Sequence, residues 1–204
     1  MTVYPRLSNT VSKLGYAICS VNLPAISTCR EDAPCKKYCY ACRGNFMFKS
    51  VKNSLQKNLD VFISEPQKFF DVIDYQLNMM PYKFFRWHSS GDIVNERYLE
   101  GMFWLARRHK STKFLCFTKK YELVNEYMNH HRKPANLVLV FSNWQDWRCD
   151  NPHNLPTAWV EFPNIEQEIP KAATRCSGYC GECVNTKASC WKMKNGDAVV
   201  FKKH

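Results

Sequence analysis

The sequence has no apolar run near the roughly 20 residues that a helix needs to cross a bilayer, so nothing in it reads as a helical membrane span. Its opening residues, MTVYPRLSNT, lack the apolar stretch of a secretory signal. The expectation is a cytoplasmic protein, in a compartment where thiols stay reduced and clustered cysteines act as metal ligands. A disulfide framework is the alternative. Acidic residues are scarce: 18 Asp and Glu face 29 Lys and Arg, leaving a formal net charge of +11. A surplus of that sign attracts polyanions such as nucleic acid or acidic proteins, or it merely solvates the surface. No stretch matches a known nucleic-acid module. The apolar share of 45% over 204 residues suits a single domain, 1–204, with a real core.

Cysteine, by contrast, is abundant and concentrated. Eight of the eleven cysteines fall into two groups of four: Cys29, Cys35, Cys39 and Cys42, then Cys176, Cys180, Cys183 and Cys190. Both groups contain the spacing C-x3-C-x2-C. Four thiols in a short loop suit a thiophilic metal, and two such loops suit two sites or one joint site. Of the other three, Cys19 and Cys116 lie in apolar runs and read as small buried hydrophobes. Cys149 sits in a polar loop, where a ligand or reactive role stays open.

The periodicities between the two groups alternate. Residues 15–23 (GYAICSVNL) read as a strand, followed by the first cysteine loop, 28–48. Phe48, Val51, Leu55, Leu59 and Phe62 recur at helical spacing. Ser64 with Pro66 and Gln67 reads as a capped start of a second helix, whose buried stripe is Phe69, Ile73, Leu77 and Met80. YKFFRWH (82–88) is a strand that runs into the turn Ser89-Ser90-Gly91-Asp92. Asn95 is the expected N-cap of a helix carrying Leu99, Met102, Phe103 and Ala106. Strands follow at 112–117, 136–141 and 157–162, with a helix over 121–131. The element within 191–201 cannot be typed from its pattern.

Alternation of this kind predicts an α/β core over 15–162 with five to six mostly parallel strands, and a cysteine-rich segment over 163–204. In a parallel sheet the strand C-termini share one edge, so the polar motifs that follow them should line one mouth. Those motifs are the first cysteines, SSGD, TKK (118–120) and SNW (142–144). Too few strands are present for a full barrel. A partial (β/α) barrel is the expected architecture, with an open doubly wound sheet second.

These residues resemble two things. The C-x3-C-x2-C after the first strand resembles the signature of radical S-adenosylmethionine proteins, and HSSGDI (88–93) resembles that superfamily's acidic, Gly-rich motif. The resemblance implies a [4Fe-4S] cluster on three cysteines, with S-adenosylmethionine on the fourth iron. The ordered set CKKYCYAC, RWHSSGD, FTKK, FSNW and CSGYCGEC is similar to the bacteriophage gene-product-88 family, from about residue 15 to 191. That family implies no established reaction, and it implies the host cytoplasm as location. Two features depart from the radical pattern. Ala41 stands where an aromatic residue usually precedes the last motif cysteine, and Cys29 could close the fourth iron.

The candidate sites follow. The metal ligands are the eight grouped cysteines. Separations of six, four and three residues in the first group resemble compact cluster-binding runs more than zinc hooks, and zinc is the alternative. His88, Ser90 and Asp92 are the candidate catalytic residues, against a reading in which the turn only caps backbone. Gly91, Thr118, Lys119 and Ser142 are candidate cofactor contacts, against the same reading. Two functions are carried forward. One is an iron–sulfur protein, either a redox or radical-type enzyme with a small-molecule substrate or a non-catalytic electron carrier. The other is a basic, metal-stapled module that binds nucleic acid or a host protein. Oligomeric state is not legible.

Overall fold

A computed structural model describes residues 4–9, 17–144, 149–162 and 168–202. In chain order these form β1 (Leu7–Ser8), β2 (Ile18–Val21), α1 (Lys49–Ser64), α2 (Pro66–Met79), β3 (Phe84–Trp87), α3 (Glu96–Arg108) and β4 (Lys113–Thr118). Then come α4 (Tyr121–His130), β5 (Leu137–Ser142), β6 (Thr157–Glu161), β7 (Thr174–Arg175), the one-turn α5 (Cys180–Cys183) and β8 (Ala198–Lys202). The first cysteine loop carries only short 3-10 turns.

The eight strands make one sheet in the order β1-β2-β3-β4-β5-β6-β8-β7. β1 pairs antiparallel with β2, and every other pairing is parallel. From β2 to β6 the order advances one neighbour at a time. A doubly wound sheet reverses at a switch point, so the second of the two expected architectures is replaced by a singly wound one. The sheet stays open, with β1 and β7 at its edges. The expected strand number falls short because β1 and β7 are two residues each, too short to show a period, and because β8 lies in the region that could not be typed. Gly15 and Tyr16 of the first expected strand lie outside the described residues.

Side-chain alternation divides the sheet into two faces. One face turns Val21, Phe85, Trp87, Phe114, Cys116, Leu139 and Phe141 against Phe62, Phe69, Ile73, Tyr98, Leu99, Phe103 and Tyr127 of α1–α4. The other turns Ile18, Leu115, Val140, Ala158 and Val199 toward Val184 and Trp191 of the C-terminal segment. The helices thus cover one face and the second cysteine group covers the other. Both faces of the central strands are buried, which is why the expected strand 136–141 reads as a continuous apolar run from Leu137 to Phe141.

Local signals were mixed. Asn95 caps α3 as expected, its Oδ1 accepting from Tyr98 N at 3.0 Å. Ser64 does not cap α2. It ends α1, and its Oγ donates to Asp60 O at 2.8 Å. Glu65 takes the N-cap position without a side-chain bond, and Pro66 starts α2. Met80 falls beyond α2 and is exposed rather than part of the buried stripe. Among the described residues, no helix is long and apolar enough to cross a membrane.

Candidate functional site

The turn after β3 holds the first cysteine loop through its backbone. His88 N donates to Val21 O at 3.1 Å, Leu23 N to Ser90 O at 3.0 Å, and Ser90 Oγ to Leu23 O at 2.8 Å. Ser89 N donates to Asn22 Oδ1 at 2.6 Å. Asp92 N donates to Thr28 Oγ1 at 3.0 Å, and that hydroxyl donates to Pro24 O at 2.7 Å. Gly91 lies at φ +83°, and a Cβ there would come within 2.9 Å of Leu23 O and 2.7 Å of Thr28 Oγ1. Only glycine combines that backbone with so close an approach.

Asp92 also ties this turn to the end of β4. Its Oδ2 accepts from Lys119 N at 2.9 Å and its Oδ1 from Ile93 N at 2.8 Å, with Thr118 adding a side-chain bond. Burial raises the Asp92 pKa, and these donors pull against it. Thr118 is buried and accepts from Lys120 N at 3.0 Å. Ser142 O accepts from the Tyr121 hydroxyl. Arg30 of the first loop pairs with Asp32 and with Glu122 on α4, a further tie across the mouth.

The loops after β2, β3, β4 and β5 line one cavity, and the second cysteine group closes it from the helix-free face. Its volume is about 400 Å³. Seven of the eight grouped cysteines line it: Cys29, Cys35, Cys39, Cys176, Cys180, Cys183 and Cys190. Cys42 does not, and is exposed. His88, Ser90, Gly91, Asp92, Thr118, Lys119 and Ser142 line it as well. The structure therefore brings together every site residue named from the sequence except Cys42. Cys19 and Cys116 are buried in the main core, and Cys149 packs at its edge.

Burial sets the thiol chemistry. It pushes the Cys39 pKa up to about 11, assisted by Cys42, which shares a hydrogen bond with it. It pushes Cys190 up to about 12, with the charge of Arg86 opposing and Cys176, Cys183 and Cys180 within electrostatic reach. Cys29 is raised by burial and then by Asp92. Such thiols stay protonated at neutral pH unless a cation displaces the proton.

None of the eleven cysteines is in a disulfide. Among the described residues, no three or more His, Cys, Asp or Glu side chains are gathered tightly enough to hold a metal ion. The donor chemistry nonetheless suits a thiophilic group. Each set contains four thiols that sense one another or share a loop, and Gly178 N donates to Cys176 Sγ at 3.4 Å. Gly178, at φ +94°, turns the chain sharply enough to bring that amide round.

Sequence reasoning passed over Arg86 and Tyr40 as residues of the cavity. Arg86 is charged in the middle of the apolar strand FFRW, and that misfit was the available signal. Tyr40 donates to Ser89 O at 2.5 Å, with its ring half exposed. Trp191 packs edge-on against Phe84 at 5.1 Å between centroids and fixes the second group to the sheet.

The fold and this site together define an open, singly wound α/β protein in which two cysteine-rich segments share one cavity. The sequence model of the family described as gene product 88 matches residues 4–193, and the chain belongs to that family. No curated protein matches the chain, and no solved structure does.

Proposed function

We propose that this protein binds iron–sulfur clusters through Cys29, Cys35, Cys39 and Cys42 and through Cys176, Cys180, Cys183 and Cys190, beside a cavity that admits a small molecule. The observation that carries this reading is the convergence of two cysteine groups from opposite ends of the chain on one cavity. Bound there, a cluster would supply one-electron redox chemistry. The remaining residues position and enclose. Ser90, Gly91 and Asp92 hold the first cysteine loop in register with β2 and β4. Trp191 keeps the second group on the sheet and keeps water off it. Thr118, Lys119 and Ser142 form the rim, and His88 faces the interior.

The finer reading is a radical-SAM-like partial barrel, with S-adenosylmethionine as ligand if Cys29 leaves one iron open. The protein would act in the cytoplasm of a phage host. A second reading is a basic, metal-stapled module for nucleic acid or an acidic partner. It draws on the charge of +11 and on exposed Lys37, Arg43, Lys49 and Lys52 along and just beyond the first cysteine loop. That module would bind nucleic acid with a steep salt dependence.

Anaerobic purification with iron and acid-labile sulfide counts tests the first reading. Iron and sulfide in the protein, and a colourless or insoluble Cys39→Ala variant, are the expected results. Zinc in their place under iron-replete conditions, or a soluble Cys39→Ala variant with unchanged metal content, would sink it. EPR of the reduced protein with and without S-adenosylmethionine then separates the open-iron form, whose spectrum shifts, from the closed one.

A further inference from the structure

Three polar residues at the end of β3 and just beyond it, Arg86, His88 and Ser89, line the cavity and each carries a buried polar atom with no partner in the protein. Arg86 leaves β3 on the helix-free side, and its guanidinium lies 4.3 Å from the centre of the Phe117 ring. Its Nε is fully buried and has no hydrogen-bond partner. His88 Nδ1 and Ser89 Oγ are likewise buried and without partners, in side chains at least nine-tenths enclosed. All three residues line the same cavity. Leaving a buried donor unpaired costs free energy, so three in one wall call for acceptors from outside the protein.

The tautomer of His88 can be argued from the same accounting. His88 Nε2 lies 3.0 Å from the Tyr98 hydroxyl, which sits among Phe62, Phe69, Phe70 and Trp87. Burial keeps that phenol protonated, and burial together with the Arg86 charge lowers the His88 pKa to about 3, so the ring is neutral. If Nε2 carried the ring proton, the Tyr98 O–H and the Nδ1 lone pair would both be stranded. With the phenol donating to Nε2, only Nδ1–H is left over. The residues of this wall then hold three spare donors just beneath its surface, Arg86 Nε–H, His88 Nδ1–H and Ser89 Oγ–H. His88 holds this position at φ +61°, a conformation uncommon for a side-chain-bearing residue and typical of functional sites.

We propose that the cavity binds a small anionic molecule, with a carboxylate or phosphate group seated on Arg86, His88 and Ser89. This deepens the reading of the cavity as a small-molecule site and names its ligand class. A guanidinium is suited to oxyanions of either kind, because its planar donors match two oxygens at once. Around Arg86 the wall is apolar and aromatic: Leu115 is its partner on β4, Phe117 lies under its guanidinium, and Trp191 lines the same cavity. The ligand therefore combines an oxyanion with an apolar body, within the size range of about 300–1,000 Å³ usual for small-molecule pockets.

The test is calorimetric titration of the protein as purified, with benzoate, its neutral isostere benzamide, and inorganic phosphate as probes. Iron and sulfide are counted in the same sample. Saturable one-site binding of benzoate or phosphate is expected, with benzamide weaker by about tenfold or more. Preference for benzoate would identify the carboxylate source and preference for phosphate the other. Arg86→Gln should weaken the bound anion by about tenfold or more. Ser89→Ala removes a hydroxyl that has no protein partner, so it should fold normally and still weaken binding about threefold. The proposal is overturned if neither anion binds saturably, if benzamide binds as well as benzoate, or if Ser89→Ala and a folded Arg86→Gln both bind like wild type. Anion binding in a sample without iron or sulfide would keep this proposal and remove the cluster reading.

Discussion

Gly91 shows how one residue can govern a site it does not decorate. Its positive φ would cost a larger residue about 1–2 kcal/mol, and its contact with Leu23 and Thr28 leaves no room for a methyl group. Gly91→Ala should therefore lose about 3 kcal/mol in urea denaturation and loosen the first cysteine loop. Gly178→Ala is the control: its φ is also positive, at +94°, but no atom lies within 4 Å, so about 1 kcal/mol is expected. Equal losses in the two variants would show that the close approach at Gly91 is not what constrains it. Ser90 and Asp92 belong to the same bracket. Their polar atoms are engaged by Leu23, Thr118, Lys119 and Ile93, which makes them positioning residues for the cysteine loop.

At the scale of elements, two contacts hold the layers together. Asp74 on α2 accepts from Arg108 Nε at 2.8 Å, from Arg108 Nη2 at 3.0 Å and from His109 Nε2 at 2.8 Å, clamping α2 to the end of α3. Burial alone would raise the Asp74 pKa, but the bonds from Arg108 and His109 outweigh it, and the carboxyl sits below its usual value. The unfolded chain, with a value near about 3.9, takes up the proton first as pH falls. The clamp's contribution is thus complete above that value and is lost as pH drops through the lower folded one. Asp74→Asn should cost about 1–2 kcal/mol at pH 7, with the difference from wild type shrinking as the pH falls below the usual carboxylate range in a series of denaturation curves. The second contact is Trp191, buried against Phe84 on the helix-free face. Trp191→Ala should lose about 3–5 kcal/mol and release the second cysteine group from the sheet. A variant with wild-type stability would mean that this segment is held from elsewhere.

Across the whole molecule, the two cysteine groups act on the same sheet from different sides. The first is hung from the strand C-terminal edge by the SSGD bracket, and the second covers the face that the helices leave open. A group bound to both would link the chain's two ends through the core, and its binding energy would add to stability. Anaerobic reconstitution with iron and sulfide should raise the thermal midpoint by about 5 °C or more over the metal-free protein. An unchanged midpoint in protein that has taken up iron would show that the cysteine segments are ordered without it. The sheet keeps a singly wound order from β2 to β6, so its helices fall on one side, and the other side is free to receive a cysteine-rich cover.

Much of this was written in local pattern. The 3.6-residue stripes of α1 to α4, the apolar runs of β4 to β6 and the Asn95 cap depend on neighbours a few residues apart, so the chain alone determines them. So does the gathering of strand-end motifs at one mouth, which follows from parallel pairing. Ser64 misled because a capping pattern and a helix C-terminus use the same residues, and only the continuation of α1 through it decides between them. β1 and β7 are too short to carry a period and exist only because a neighbouring strand pairs with them. Arg86 stood out in FFRW as a charge in an apolar run, but which face it takes was set by the register of β3 against β4. That the two cysteine groups share one cavity was beyond any local signal. It depends on the C-terminal segment crossing the helix-free face of the sheet, a contact between the chain's ends that only tertiary packing makes.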